Sequence, residues 1–156
     1  MLQTLGPKAA ALATSLETDL APEAAPWSLD AHSMHQCLMN LVTNALDATA
    51  AVDEAWVRVS TQVTPADELE IRVQDNGPGI APNLGDELFS SMVTTKGSKG
   101  TGLGLLVVHK IVAEHGGSVE VHNDHAPGAT FAVRLPRGPQ ELPIESRPAA
   151  PMLTSG

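Results

Sequence analysis

Apolar and polar positions recur along this chain with two different periods, and the changes of period mark its elements. The clearest helical stretch starts at Asp30. Met34, Leu38, Leu41, Val42, Ala45, Leu46 and Ala48 follow at helical spacing, with Asp30 or Ser33 available as the N-cap. A second helix is expected from Gly102 to His115, stopped by Gly116–Gly117, and a shorter helical pattern in residues 1–13 is interrupted at Gly6–Pro7. Alternation with a period of two takes over in Ala55–Val63 and Leu69–Val73, linked as a hairpin through Pro65–Ala66–Asp67. It returns in Ser118–His122 and Ala129–Leu135, around a turn near Ala126–Pro127–Gly128. Weaker alternation at Ser15–Leu20 predicts a first strand, and Trp27–Leu29 a brief further one beyond Pro22 and Pro26. About three helices and five strands, with strands adjacent in pairs, predict a two-layer α/β sandwich: a mixed, largely antiparallel sheet with helices on one face. Past Pro136 the chain is rich in Pro, Ser and Ala, the composition of a disordered tail.

Residues 75–105 fit neither period. Seven glycines fall there, in one breaker cluster at Asp75–Asn76–Gly77–Pro78–Gly79 and another at Gly100, Gly102 and Gly104. A long irregular stretch inside a compact domain is usually a lid or binding loop. The second cluster feeds directly into the apolar run Leu103–Val108. At such a helix start the first N–H groups are unpaired and the dipole is positive, which suits an anion and above all a phosphate. An acidic turn, a long loop and a phosphate-cradling helix start together suggest a nucleotide clamp. On the Asp30 helix, Asn40, Asn44 and Asp47 lie four and three apart, on one polar stripe.

Composition narrows the choice. At 156 residues the chain is read as one domain with a real core, built from aliphatic residues because only two Trp, two Phe and no Tyr are present. A formal net charge of −9 argues against nucleic acid or an anionic membrane as partner. The single cysteine, Cys37, excludes an internal disulfide and fits a reducing cytoplasm. His32, His35 and Cys37 lack the spacing of a common structural zinc site and have no second cysteine to complete one. No segment has the plan of a signal peptide or a membrane span, so the chain is expected to be cytoplasmic.

Four separated motifs then line up, in order, with the ATP-binding domain of two-component sensor histidine kinases, in the superfamily shared with gyrase B, the heat-shock chaperone ATPases and MutL. NLVTNALDA resembles the N box, DNGPGI the first glycine box, DELFSSMVTTK the F box and GTGLGL the second glycine box; Gly128 and Thr130 sit where the last glycine motif is found. The resemblance covers residues 14–136 and implies a Bergerat-type sandwich that binds ATP and Mg2+. It implies Asn44 as a magnesium ligand, with Asn40 a possible second, and hard amide oxygens suit that ion. Asp75 is implied as acceptor of the adenine amine, since an ionised carboxylate accepts only. Gly77, Gly79 and Ile80 are expected beside the base, with Thr130 supporting the same corner and Asp47 within the nucleotide set. Gly100, Thr101, Gly102, Leu103 and Gly104 are expected around the triphosphate, helped by Thr95 and Lys96, with Lys99 as a further candidate. Positioning and charge neutralisation, here from Asn44 and Lys96, are most of what phosphoryl transfer asks of a protein.

The sequence departs from the pattern in three places. Met92–Val93 stand where the F box usually has a second Phe. No histidine has the acceptor setting of the family, since His35 is followed by Gln36 inside the Asn-bearing helix. The chain is therefore read as the catalytic piece of a longer kinase, with residues 1–13 as a linker remnant from the helical hairpin, 14–136 as the ATP-binding domain and 137–156 as the tail. The third departure is Asn40, which stands where hydrolytic relatives have a water-activating Glu, and an amide cannot act as a general base. Transfer to a docked histidine is thus expected over hydrolysis. The implied partners are a phosphoacceptor domain in cis or trans and a response regulator. This piece is expected to be monomeric, with the cytoplasmic portion of a membrane-bound sensor as one setting for it, and the full-length protein a homodimer. A stand-alone anti-sigma-factor-type serine kinase and a degenerate docking domain remain as alternatives.

Overall fold

A computed structural model of the chain describes residues 2–21, 27, 29–79, 103–123 and 128–137. Its elements run α1 (Leu2–Ala11), β1 (Ser15–Leu20), α2 (Ala31–Ala48), β2 (Trp56–Val63), β3 (Glu68–Asp75), α3 (Leu103–Glu114), β4 (Ser118–His122) and β5 (Ala129–Pro136). The five strands form one sheet in the order β1-β2-β3-β5-β4. Only the β1–β2 pairing is parallel; the other three are antiparallel. The fold is the expected mixed sheet with helices on one face. No helix among the described residues is long and apolar enough to cross a membrane.

The core lies between sheet and helices. Val57, Val59, Leu69, Ile71, Val73, Phe131, Val133 and Leu135 supply the sheet side, and Leu41, Val42, Ala45, Leu46, Val108 and Val112 the helix side. Each fully buried aliphatic side chain contributes on the order of 1.5–3 kcal/mol, which is how a chain poor in aromatics holds together. Cys37 completes the buried face of α2. The opposite face of the sheet is charged. Glu70, only 2% exposed, accepts hydrogen bonds there from Arg72 Nε at 2.6 Å, Arg134 Nε at 2.8 Å and Gln62 Nε2 at 2.6 Å.

Local chemistry sets the ends. Of the two N-cap candidates Asp30 is the one used: its carboxylate accepts from the His32 N–H at 3.2 Å and from the Ser33 hydroxyl. At the end of α3, the Gly116 and Gly117 N–H groups return to the carbonyls of Ala113 and Val112, both at 2.9 Å, a Schellman closure. Three expectations need correction. The strand foreseen at Leu69–Val73 extends to Asp75, so Asp75 is a strand residue registered with Val57 and Ala129. Trp27 and Leu29 are not in a strand; the Trp27 indole donates to the Pro136 carbonyl at 3.1 Å and Arg137 stacks over its ring. Gly6–Pro7 does not interrupt α1, whose Leu5 and Ala9 are buried in the same core.

Candidate functional site

The site is laid out along α2. Asn40, Asn44 and Ala48 succeed one another at intervals of four residues, so they share one stripe of the helix. At one end, Asn40 faces the start of α3: a Cβ placed on Gly104 would lie 3.8 Å from the Asn40 amide carbon and oxygen. At the other end, the loop after β3 packs on the last turn. A Cβ on Gly77 would stand 2.8 Å from the Ala48 carbonyl oxygen and 2.9 Å from Asp75 Oδ1. Only a residue without a side chain fits there. Asn44, half-buried, lies midway. From Asn40 to Ala48 the helix rises about 12 Å.

Asp75 closes the β3 end. It is 3% exposed, and its Oδ1 accepts the Gly77 N–H at 2.9 Å. The Ala129 N–H, from the neighbouring strand, also donates to the carboxylate. Burial pushes the carboxyl above the ordinary aspartate range, and the two N–H donors offset this only in part. A carboxylate has about four acceptor sites, so this one retains capacity for a donor from outside. Gly79 adopts φ +79°, and a Cβ there would meet the Gly128 carbonyl at 3.0 Å and Asn123 Oδ1 at 3.2 Å. The turn after Asp75 is thereby held against the edges of the β4–β5 connection.

Two sequence-predicted residues are placed differently from expectation. Thr130 is buried, but it is registered with Gln74, one residue out of step with the Asp75–Ala129 pair. Side chains alternate across a sheet, so Thr130 lies on the face opposite Asp75; the Ala129 main chain supports the carboxylate instead. Asp47 turns its carboxylate to Lys8 Nζ of α1 at 2.9 Å. Leu103 and Gly104 open α3. Ile80, Thr95, Lys96, Lys99, Gly100, Thr101 and Gly102, with Met92 and Val93, lie outside the described residues. Cys37 is buried while His32 and His35 are exposed, so the three share no face; burial pushes the Cys37 thiol up to about 11. Sequence reasoning missed Ala129, Asn123 and Lys8. Ala129 is set by strand register, which no local pattern carries; for Lys8, the i, i+4 recurrence of Leu5 and Ala9 around it was the available signal.

The residues present suit an elongated ligand with a hydrogen-bond donor at one end and anionic groups at the other. Asp75 and the glycine-only backbone would meet the donor end. The start of α3 and the amide oxygens of Asn40 and Asn44 would meet the anionic end, where a hard divalent ion also finds suitable ligands.

Comparison with known proteins gives the family. Residues 29–139 match the family model for histidine kinase-, DNA gyrase B- and HSP90-like ATPases. The sensor protein SrrB of Staphylococcus aureus is 34% identical over 116 residues, which is 71% of this chain. The chain spans about a fifth of that relative's length, 19%. Among solved structures, the catalytic domain of histidine kinase ThkA superposes with a TM-score of 0.76 at 28% identity, covering 88% of this chain and 89% of that one. Full-length ShkA in complex with AMPPNP gives a TM-score of 0.76 at 27% identity, over 86% of this chain and 28% of that one. ThkA bound to the response regulator TrrA shares the fold, with a TM-score of 0.74 at 24% identity over 90% of this chain and 39% of that one. By sequence and by fold, the chain belongs to the family of histidine kinase-, DNA gyrase B- and HSP90-like ATPases.

Proposed function

We propose that this chain is the ATP-binding catalytic domain of a sensor histidine kinase, which binds Mg·ATP and donates the γ-phosphate to a histidine on a separate domain. The observation that carries the reading is the stripe along α2, bounded by Asp75 and Gly77 at one end and by Gly104 at the other. Asp75 accepts the adenine exocyclic amine, and its acceptor-only chemistry disfavours the guanine carbonyl. Gly77 and Gly79, with Ile80, let the base lie against the backbone. Asn44, with Asn40 beside it, would hold Mg2+, which supplies charge neutralisation to the phosphates. The Gly100–Gly104 run, Thr95 and Lys96 are assigned to the phosphates on the sequence resemblance.

The phosphoacceptor histidine and the downstream response regulator are the partners of this reading. The similarity to sensor kinases and to ThkA, solved with a response regulator, supports that partnership. The chain itself is assigned to the cytoplasm and to a monomeric state, with dimerisation left to the acceptor hairpin. The test is calorimetric titration with AMPPNP, with and without Mg2+, on wild type and Asp75→Asn. Magnesium-dependent binding that the substitution removes is the expected result. A folded wild-type protein that does not bind would overturn the reading.

A further inference from the structure

Asn76 follows Asp75 at the point where β3 leaves the sheet, and its side chain takes over the work of a strand backbone. The last registered β2–β3 pair is Val57 with Asp75. One step further, the Asn76 N–H still reaches the Trp56 carbonyl, at a stretched 3.4 Å. The side-chain amide then continues the pairing. Its Oδ1 accepts the Trp56 N–H at 2.8 Å, and its Nδ2 donates to the Glu54 carbonyl at 3.1 Å. A carboxamide offers the same acceptor and donor as a peptide group, so the start of β2 stays satisfied after β3 has gone. The main chain is thereby released to turn at once, and the Gly77 N–H lands on Asp75 Oδ1 at 2.9 Å.

We propose that Asn76 is a positioning residue for recognition of the base: it acts through Asp75, by fixing where the strand ends and the turn begins. The proposal rests on the reading of Asp75 as the adenine contact. No other common side chain serves as well. Aspartate keeps the acceptor for the Trp56 N–H but sets an oxygen against the Glu54 carbonyl, alanine loses both bonds, and glutamine is one methylene too long for the same pair. Freed from β2, the turn would let the Asp75 carboxylate rotate away from the base, and discrimination between adenine and guanine would fall along with affinity.

The test measures AMPPNP and GMPPNP binding by calorimetry on wild type, Asp75→Asn, Asn76→Ala and Asn76→Asp, with thermal unfolding of each. For Asn76→Ala we expect affinity for AMPPNP to fall about tenfold, the scale of two loosened neutral hydrogen bonds, and the preference for AMPPNP over GMPPNP to shrink in step. Asn76→Asp, which keeps the acceptor for the Trp56 N–H and removes the donor to Glu54, should show the same loss of preference. If both folded variants lose thermal stability yet keep the wild-type preference, Asn76 is only a structural brace and the proposal fails. The failure of the underlying reading looks different: wild type would then show no preference, or Asp75→Asn would retain it.

Discussion

At Asp75, burial and two backbone donors act on one carboxyl in opposite directions, and burial prevails. Its folded pKa therefore stands above the ordinary 3.8. For the empty protein, the stability this group contributes is present below 3.8 and lost as pH rises through the raised value, because the charged form is the one that burial disfavours. On the proposed reading the adenine amine needs that charged acceptor, and its binding would pull the pKa back down. Carbon-detected NMR titration of the Asp75 carboxyl should show a midpoint above 3.8 without ligand and a lower one with AMPPNP. A midpoint that AMPPNP leaves unmoved would mean that the amine is bound elsewhere. Cys37 has the same cause of shift without any such use: its thiol is pushed up to about 11 inside the core and stays an inert packing group.

Elements were legible wherever one face is buried. The α2 stripe from Met34 to Leu46 and the alternation of β2 follow directly from sequence, because the same periodicity that reveals them also builds the core; β5 is instead buried on both faces from Ala129 to Val133. Register was not legible. Thr130 and Ala129 are adjacent in sequence, and only the pairing of Asp75 with Ala129 decides which of them meets the carboxylate. The parallel pairing of β1 with β2 joins segments about forty residues apart, and no local pattern announces it. Glu70 was equally hidden, since a glutamate in an alternating strand reads as solvated. Its burial raises the pKa, but the bonds from Arg134, Arg72 and Gln62 outweigh this and leave it lowered. Its contribution to stability is thus full above the ordinary 4.5 and lost as pH falls through the lowered folded value. Glu70→Gln should cost about 1–3 kcal/mol in urea denaturation at neutral pH, the scale of charged hydrogen bonds lost from a buried group. The gap to wild type should narrow below pH 4.5, and a gap that is constant with pH would assign the loss to packing instead.

On the scale of the whole molecule, the fold supplies positions along α2 and, among the described residues of that stripe, no base. Along the α2 stripe the groups are Asn40, Asn44 and the Ala48 carbonyl, and none of them takes a proton at neutral pH. The one acid nearby on that helix, Asp47, is engaged with Lys8 of α1. Asn40, where a water-activating carboxylate would have to stand, faces Gly104 at the start of α3. On the proposed reading, the described part of such a site would orient a triphosphate without activating water, and the attacking group with its base would come from the acceptor domain. The purified chain is therefore expected to bind Mg·ATP and to hydrolyse it very slowly. Labelled ATP should pass its γ-phosphate to a separately purified histidine-bearing hairpin of the same kinase, and Asn44→Ala should abolish that transfer. Steady-state ATPase activity that is robust in the chain alone and vanishes in Asn44→Ala would show that water is activated after all, and that the stripe contains a base assigned here to the partner.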